Sequence, residues 1–126
     1  MYISVLPDCG VPAYKQIFEQ IAAQIISGET PPFTPLPPIR TVAKETGVSV
    51  ITVRSAWDAL EAAGLIETRA GSGCYVRVMS EEEKETVIKD VLSPHMKALS
   101  GAAAKFGLTY DQICAVLRSV WDGKDT

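Results

Sequence analysis

The side chains of this chain that can do chemistry are few, and most of them gather between positions 40 and 72: Arg40, Ser49, Thr52, Arg54, Ser55, Arg69 and Ser72. Arginine forks and hydroxyls donate hydrogen bonds to phosphate oxygens and to base edges. Such a set grips an anion and breaks no bond. Catalysis by a nucleophile, a base and an orienting group needs more than the single histidine, His95, and a chain with no glycine-rich phosphate loop. Cys9, Cys74 and Cys114 are odd in number and lack CxxC spacing, so free thiols are expected and not metal ligands. No enzyme activity, metal site or cofactor is expected.

Two helices and a ribbon must position those residues. Leu36-Pro37-Pro38-Ile39-Arg40-Thr41-Val42-Ala43 predicts a short helix ending near Thr46, because proline suits a first turn where its missing N–H costs nothing. Gly47 makes a turn. Ser49 is placed to cap a second helix over 50–63, which Gly64 closes. Val53, Ala56, Trp57 and Leu60 form the inner stripe of that helix, so Arg54, one position past Val53, points outward. Residues 66–69 and 74–78 alternate around a Gly71-Ser72-Gly73 tip, as a hairpin does. This order is that of a winged helix-turn-helix, whose second helix enters the DNA major groove.

The flanking segments complete the expected architecture. Tyr14, Ile17, Phe18, Ile21, Ile25 and Ile26 predict an amphipathic helix over 13–27, ended by Gly28. The proline-rich stretch 29–38 cannot be helical; it reads as a stiff connector anchored by Phe33 and Leu36 and not as an SH3-type ligand. Ser80-Glu81-Glu82-Glu83 is a capping box that starts a helix to about 106, which Pro94 should kink or split. Thr109 with Gln112 caps a final helix to about 123, and Lys124-Asp125-Thr126 is expected to fray. These last ~45 residues are too few to close a core alone. Their apolar stripes therefore predict a homodimer joined through Val91, Leu92, Met96, Leu99, Ile113, Leu117 and Trp121. The fold class is mainly α: three helices and a β-hairpin wing over 1–78, then two dimerisation helices over 79–126.

Charge complicates the DNA reading. The 126 residues carry a net charge of −3, whereas phosphate neutralisation needs Lys and Arg. Placement resolves this, because Arg40, Lys44, Arg54 and Arg69 all fall on the two motif helices or the hairpin. A positive face on an acidic protein is expected, with modest non-specific affinity. No apolar run approaches the ~20 residues of a membrane span, and Met1-Tyr2-Ile3-Ser4-Val5-Leu6 does not read as a signal peptide. The expected location is the cytoplasm, with no membrane partner.

The chain resembles the GntR family of bacterial transcription regulators, and its small YtrA-like branch in particular. Tyr14…Gln16-Ile17…Ile21…Ile25…Gly28, Leu36-Pro37…Arg40…Val42-Ala43, Val48-Ser49…Thr52-Val53-Arg54 and Leu60-Glu61…Gly64-Leu65-Ile66…Gly71…Gly73…Val76 carry the resemblance in order from Pro12 onward. The family often has Pro-Gly where this chain has Pro32-Phe33, Ser at Pro38 and Arg at Val50. Valine offers only apolar contact to a thymine methyl. The resemblance implies an operon-level regulator, in this branch often of an ABC transporter operon; the expected homodimer, a repressor in the first instance and otherwise an activator, implies an inverted-repeat DNA operator through its two-fold symmetry. The expected DNA-contacting residues are Arg40, Ser49, Val50, Thr52, Arg54, Ser55, Arg69, Gly71, Ser72 and Gly73. The competing reading is a winged helix that binds protein, motivated by the acidic charge.

Overall fold

The computed structural model describes residues Met1–Gly123; the expected fraying of Lys124-Asp125-Thr126 lies outside them. Helices α1 (Ala13–Ile26), α2 (Ile39–Thr46) and α3 (Val50–Ala62) precede an antiparallel hairpin of β1 (Ile66–Arg69) and β2 (Gly73–Val76). Helices α4 (Glu81–Lys105) and α5 (Tyr110–Gly123) follow. The described chain divides into two compact units, Met1–Ile88 and the stretch from Lys89 onward.

The core of the first unit forms around α3. Its inner stripe of Val53, Ala56, Trp57 and Leu60 is buried, as are Ile17, Ile21 and Ile25 of α1 and Val42 of α2. Leu65, Ile66, Val76, Met79 and Val87 close the remaining sides. Truncating a fully buried leucine such as Leu60 costs about 2–5 kcal/mol, so this stripe is decisive for folding. The predicted α1 stripe needs one correction. Tyr14 is 37% exposed, because it sits in the first helical turn and only Ile17 onward reaches the core.

Side chains and glycines set the helix ends. The Thr52 N–H donates to Ser49 Oγ at 3.1 Å. Gly64, at φ +80°, stops α3: its N–H bonds the Glu61 carbonyl, and the Leu65 N–H reaches back to Leu60. That pair of bonds is a Schellman closure. Arg77 Nη1 then donates to the Gly64 carbonyl at 2.7 Å, tying the end of β2 to the end of α3. At the start of α4, Ser80 and Glu83 exchange reciprocal bonds of 3.1 Å, and Thr109 and Gln112 exchange bonds of 2.8 and 3.2 Å at the start of α5. The Ser80 backbone bond holds the Glu83 carboxyl below its usual range, followed by the Ser80 hydroxyl and then Arg77. A depressed carboxyl favours folding above its unfolded pKa, and that contribution fades as pH falls through the folded value.

Pro94 lies inside α4, which runs unbroken through it, so the predicted split does not occur. Proline removes one helical bond, and the carbonyl it frees, that of exposed Asp90, is open to water. Within the second unit Ala103 is buried and Gly107 turns the chain, but α5 buries none of its residues. Leu92, Met96, Leu99, Leu117, Val120 and Trp121 are exposed.

The hairpin register pairs Ile66 with Val76, Glu67 with Tyr75, Thr68 with Cys74 and Arg69 with Gly73. β2 therefore starts one residue earlier than predicted and stops at Val76, before 78. The proline-rich connector runs beside it. The Phe33 N–H donates to the Val76 carbonyl, Val76 N–H to Thr34, and Leu36 N–H to Cys74. Pro35 and Pro37 flank Leu36 at positions where no N–H is needed, which is how prolines are tolerated at a sheet edge. Leu36 is the buried anchor, but Phe33 is not: its side chain is 63% exposed. The Thr34 N–H bonds the Pro31 carbonyl, which places Pro32 and Phe33 at the centre of a β-turn. Phe33 has φ +69°, the sign that a type II turn demands at this position and that glycine meets without strain.

The first residues are held by an arrangement that sequence periodicity does not reveal. Gln16, Gln20 and Gln24 stand one helical turn apart on α1. Gln16 both donates to and accepts from the backbone of Leu6, at 2.9 and 2.8 Å. Gln20 does the same with Ser4, at 2.6 and 3.0 Å. Gln24 donates to the Tyr2 carbonyl at 2.7 Å. Three side-chain amides thus act as a strand edge for alternate residues of the N-terminal segment.

Phe33 yields a prediction. The left-handed conformation costs a side chain about 1–2 kcal/mol, and glycine loses about 0.4–1 kcal/mol through unfolded-state entropy. Phe33→Gly is expected to be more stable than Phe33→Ala by about 0.5–1 kcal/mol. Paired urea melts measure it; an alanine variant at least as stable would show that the turn relaxes to negative φ.

Candidate nucleic-acid interface

Burial of one side of α3 exposes the other. Ile51, Arg54, Ser55 and Asp58 are exposed while Val53, Ala56, Trp57 and Leu60 are buried. Gly47, at φ +76°, ends α2 and turns the chain into α3. Arg40, in the first turn of α2, is also exposed.

The two arginines share a surface groove of about 380 Å³ with the hairpin. Arg40 and Ile39 line it from α2, Val50, Arg54 and Trp57 from α3, and Gly73 and Cys74 from β2; Leu36, Pro37 and Pro38 form the rest. Among the described residues neither the Arg40 nor the Arg54 side chain has a hydrogen-bond or ion-pair partner. Two unneutralised guanidinium groups at one groove suit an anionic ligand of extended shape.

Other predicted site residues are committed locally. Ser49 Oγ caps α3 and lies 2.8 Å from Thr52 Oγ1. Ser55 Oγ donates to the Ile51 carbonyl at 3.1 Å, leaving lone pairs but no donor. Arg69 Nη2 sits 2.9 Å from Glu67, and its guanidinium lies 5.5 Å from the centre of the Tyr75 ring. Tyr75 donates to the Ser72 carbonyl at 2.9 Å, bracing the tip. Gly71 and Gly73 take positive φ, and Ser72 is exposed between them.

The structure thus brings Arg40, Val50, Arg54 and Gly73 to one groove, while Ser49, Thr52, Ser55, Arg69, Gly71 and Ser72 lie outside its lining. The sequence reading passed over Ile51. Its signal was present: a stripe at 53, 56, 57 and 60 places 51, 54, 55 and 58 on the opposite face. Among the described residues no cluster of His, Cys, Asp and Glu could hold a metal, and no helix is long and apolar enough to cross a membrane.

Comparison with known proteins identifies the family of the helix-turn-helix. The profile of bacterial regulatory proteins of the gntR family matches residues 13–76. A probable rhizopine catabolism regulatory protein, MocR of Rhizobium meliloti, is 42% identical over 72 residues, which are 57% of this chain and 15% of MocR. The transcriptional repressor YtrA of Bacillus subtilis is 33% identical over 87 residues, 69% of this chain and 65% of YtrA. A GntR family transcriptional regulator from Listeria monocytogenes superposes with a TM-score of 0.73 at 26% identity, covering 90% of this chain and 98% of that one. By the profile match over half of its length, the chain belongs to the GntR family of DNA-binding transcription regulators.

Proposed function

We propose that this protein is a cytoplasmic homodimeric repressor that binds an inverted-repeat DNA operator, with residues 1–78 on the DNA and residues 79–126 joining the two copies. The observation that carries the DNA reading is the groove in which Arg40 and Arg54 stand unpaired beside the wing. In this reading α3 enters the major groove. Arg54 and Val50 face base edges, and Arg40 meets a phosphate or a guanine. Ser49, Thr52 and Ser55 offer hydroxyl oxygens at the helix start, and Arg69, Gly71, Ser72 and Gly73 bring the wing against the flanking backbone. The repressor assignment draws on the YtrA relative, and the ABC transporter operon as target class rests on the resemblance to the YtrA-like branch alone.

Pairing of copies is supported by the exposed apolar residues of α4 and α5. Leu92, Met96, Leu99, Leu117 and Trp121 are between 39% and 62% exposed, and Val91 and Ile113 are half-buried. Apolar area buried between proteins contributes about 25 cal/mol per Å², so several such side chains covered on each copy suffice for a stable interface.

Three measurements test these readings. Arg40→Ala and Arg54→Ala are each expected to weaken operator binding by about 1–3 kcal/mol without changing the circular dichroism spectrum. Unchanged affinity in both variants would remove DNA from this groove. The binding should also fall steeply with salt, which separates DNA from a protein partner. By light scattering, the full chain should be a dimer at micromolar concentration. A chain shortened to Met1–Ile88, which keeps Met79 and Val87 in the first core, should be a monomer with most operator affinity lost. A monomeric full chain would overturn the role given to α4 and α5.

A further inference from the structure

We infer that Ile51 reads the 5-methyl group of a thymine and is a specificity-determining residue of the operator complex; this rests on the DNA-binding reading above. Ile51 is 77% exposed, among the most exposed large apolar side chains of the first unit. It lies in the first turn of α3, the end of a recognition helix that reaches base edges. It precedes Arg54 by three residues and Ser55 by four, so all three share the outward face. Val50, the neighbouring apolar residue, is half-buried and lines the groove near Trp57, whereas Ile51 is absent from that lining.

The chemistry of the major groove then selects the ligand. Base-pair edges there present hydrogen-bond donors, acceptors and a single apolar group, the thymine methyl. An aliphatic side chain aimed at that floor gains from the methyl. Against any other edge it desolvates a polar atom without offering a bond. Ile51 is therefore suited to favour thymine and to disfavour guanine, adenine and unmodified cytosine at one position.

The test uses the full chain and DNA that it selects itself. Duplexes enriched from a randomised pool define a consensus. Each thymine in that consensus is then replaced singly by deoxyuridine, which removes the methyl and nothing else. Burial of one methyl corresponds to about a fourfold change in affinity. One thymine position should show about that loss with the wild-type chain, and Ile51→Ala should bind the thymine and uridine duplexes equally. Ile51→Val should retain part of the sensitivity. Because the Ile51 side chain is largely exposed, an unchanged circular dichroism spectrum is expected for both variants. Two results overturn the inference: no thymine whose methyl matters, or a methyl effect that survives in Ile51→Ala. A pool that yields no enriched duplex overturns the DNA-binding reading itself, and the role of Ile51 with it.

Discussion

Val53, Ala56, Trp57 and Leu60 give α3 one apolar face, and burial of that face against α1 fixes where the opposite face points. A helix has no means of orienting its outer residues except through its inner ones. The outward placement of Ile51, Arg54 and Ser55 is thus a packing result. Any change that let α3 roll by one position would turn Arg54 toward the core, where an unpaired guanidinium is costly. The same stripe that stabilises the fold therefore also aims the recognition surface, and the two properties cannot be varied independently.

The wing is positioned by a second set of constraints, largely of backbone hydrogen bonds. The connector before α2 pairs with β2 through Phe33, Thr34 and Leu36, so the ribbon has a third strand-like partner on its far side. Since that connector leads directly into α2, the first motif helix and the wing are joined without a long side chain between them. Arg77 completes the clamp by holding the end of α3 through the Gly64 carbonyl. It is a cation beside the motif spent on the scaffold, whereas Arg40 and Arg54 carry no such bond. Formal charge along the chain does not distinguish these roles; hydrogen-bond geometry does.

Much of this was legible in the sequence because the signals were local. The capping boxes at Ser80 and Thr109, the closure at Gly64 and the stripe of α3 each lie within one or two helical turns, and each forms as the residue types dictate. The misses share the opposite property. Whether Tyr14 or Phe33 is buried depends on how far along its element the core extends, and periodicity alone does not give that. Pro94 was expected to kink or split α4, yet the helix runs unbroken through it, with the freed carbonyl on exposed Asp90. The glutamines of α1 escaped notice because they lie on the polar side of an amphipathic helix, where side chains are ordinarily read as solvated. The roles of the groove residues depend on a ligand, and no local rule reports on that.

The pairing of those glutamines with the first residues is a vernier between two scales. Four residues of α-helix advance about 6.0 Å and wind about 40° past a full turn. Two residues of extended chain advance about 6.6 Å along a nearly straight line. Each successive amide therefore falls behind its backbone partner by about 0.6 Å and drifts sideways as well. Gln16 exchanges two bonds with Leu6 and Gln20 two with Ser4, while Gln24 makes one to Tyr2. The ladder takes every rung that α1 offers at this spacing, since position 12 is Pro12, ahead of the helix, and position 28 is Gly28, beyond its end at Ile26; the length of the helix therefore sets how many alternate residues of the first segment can be tied down.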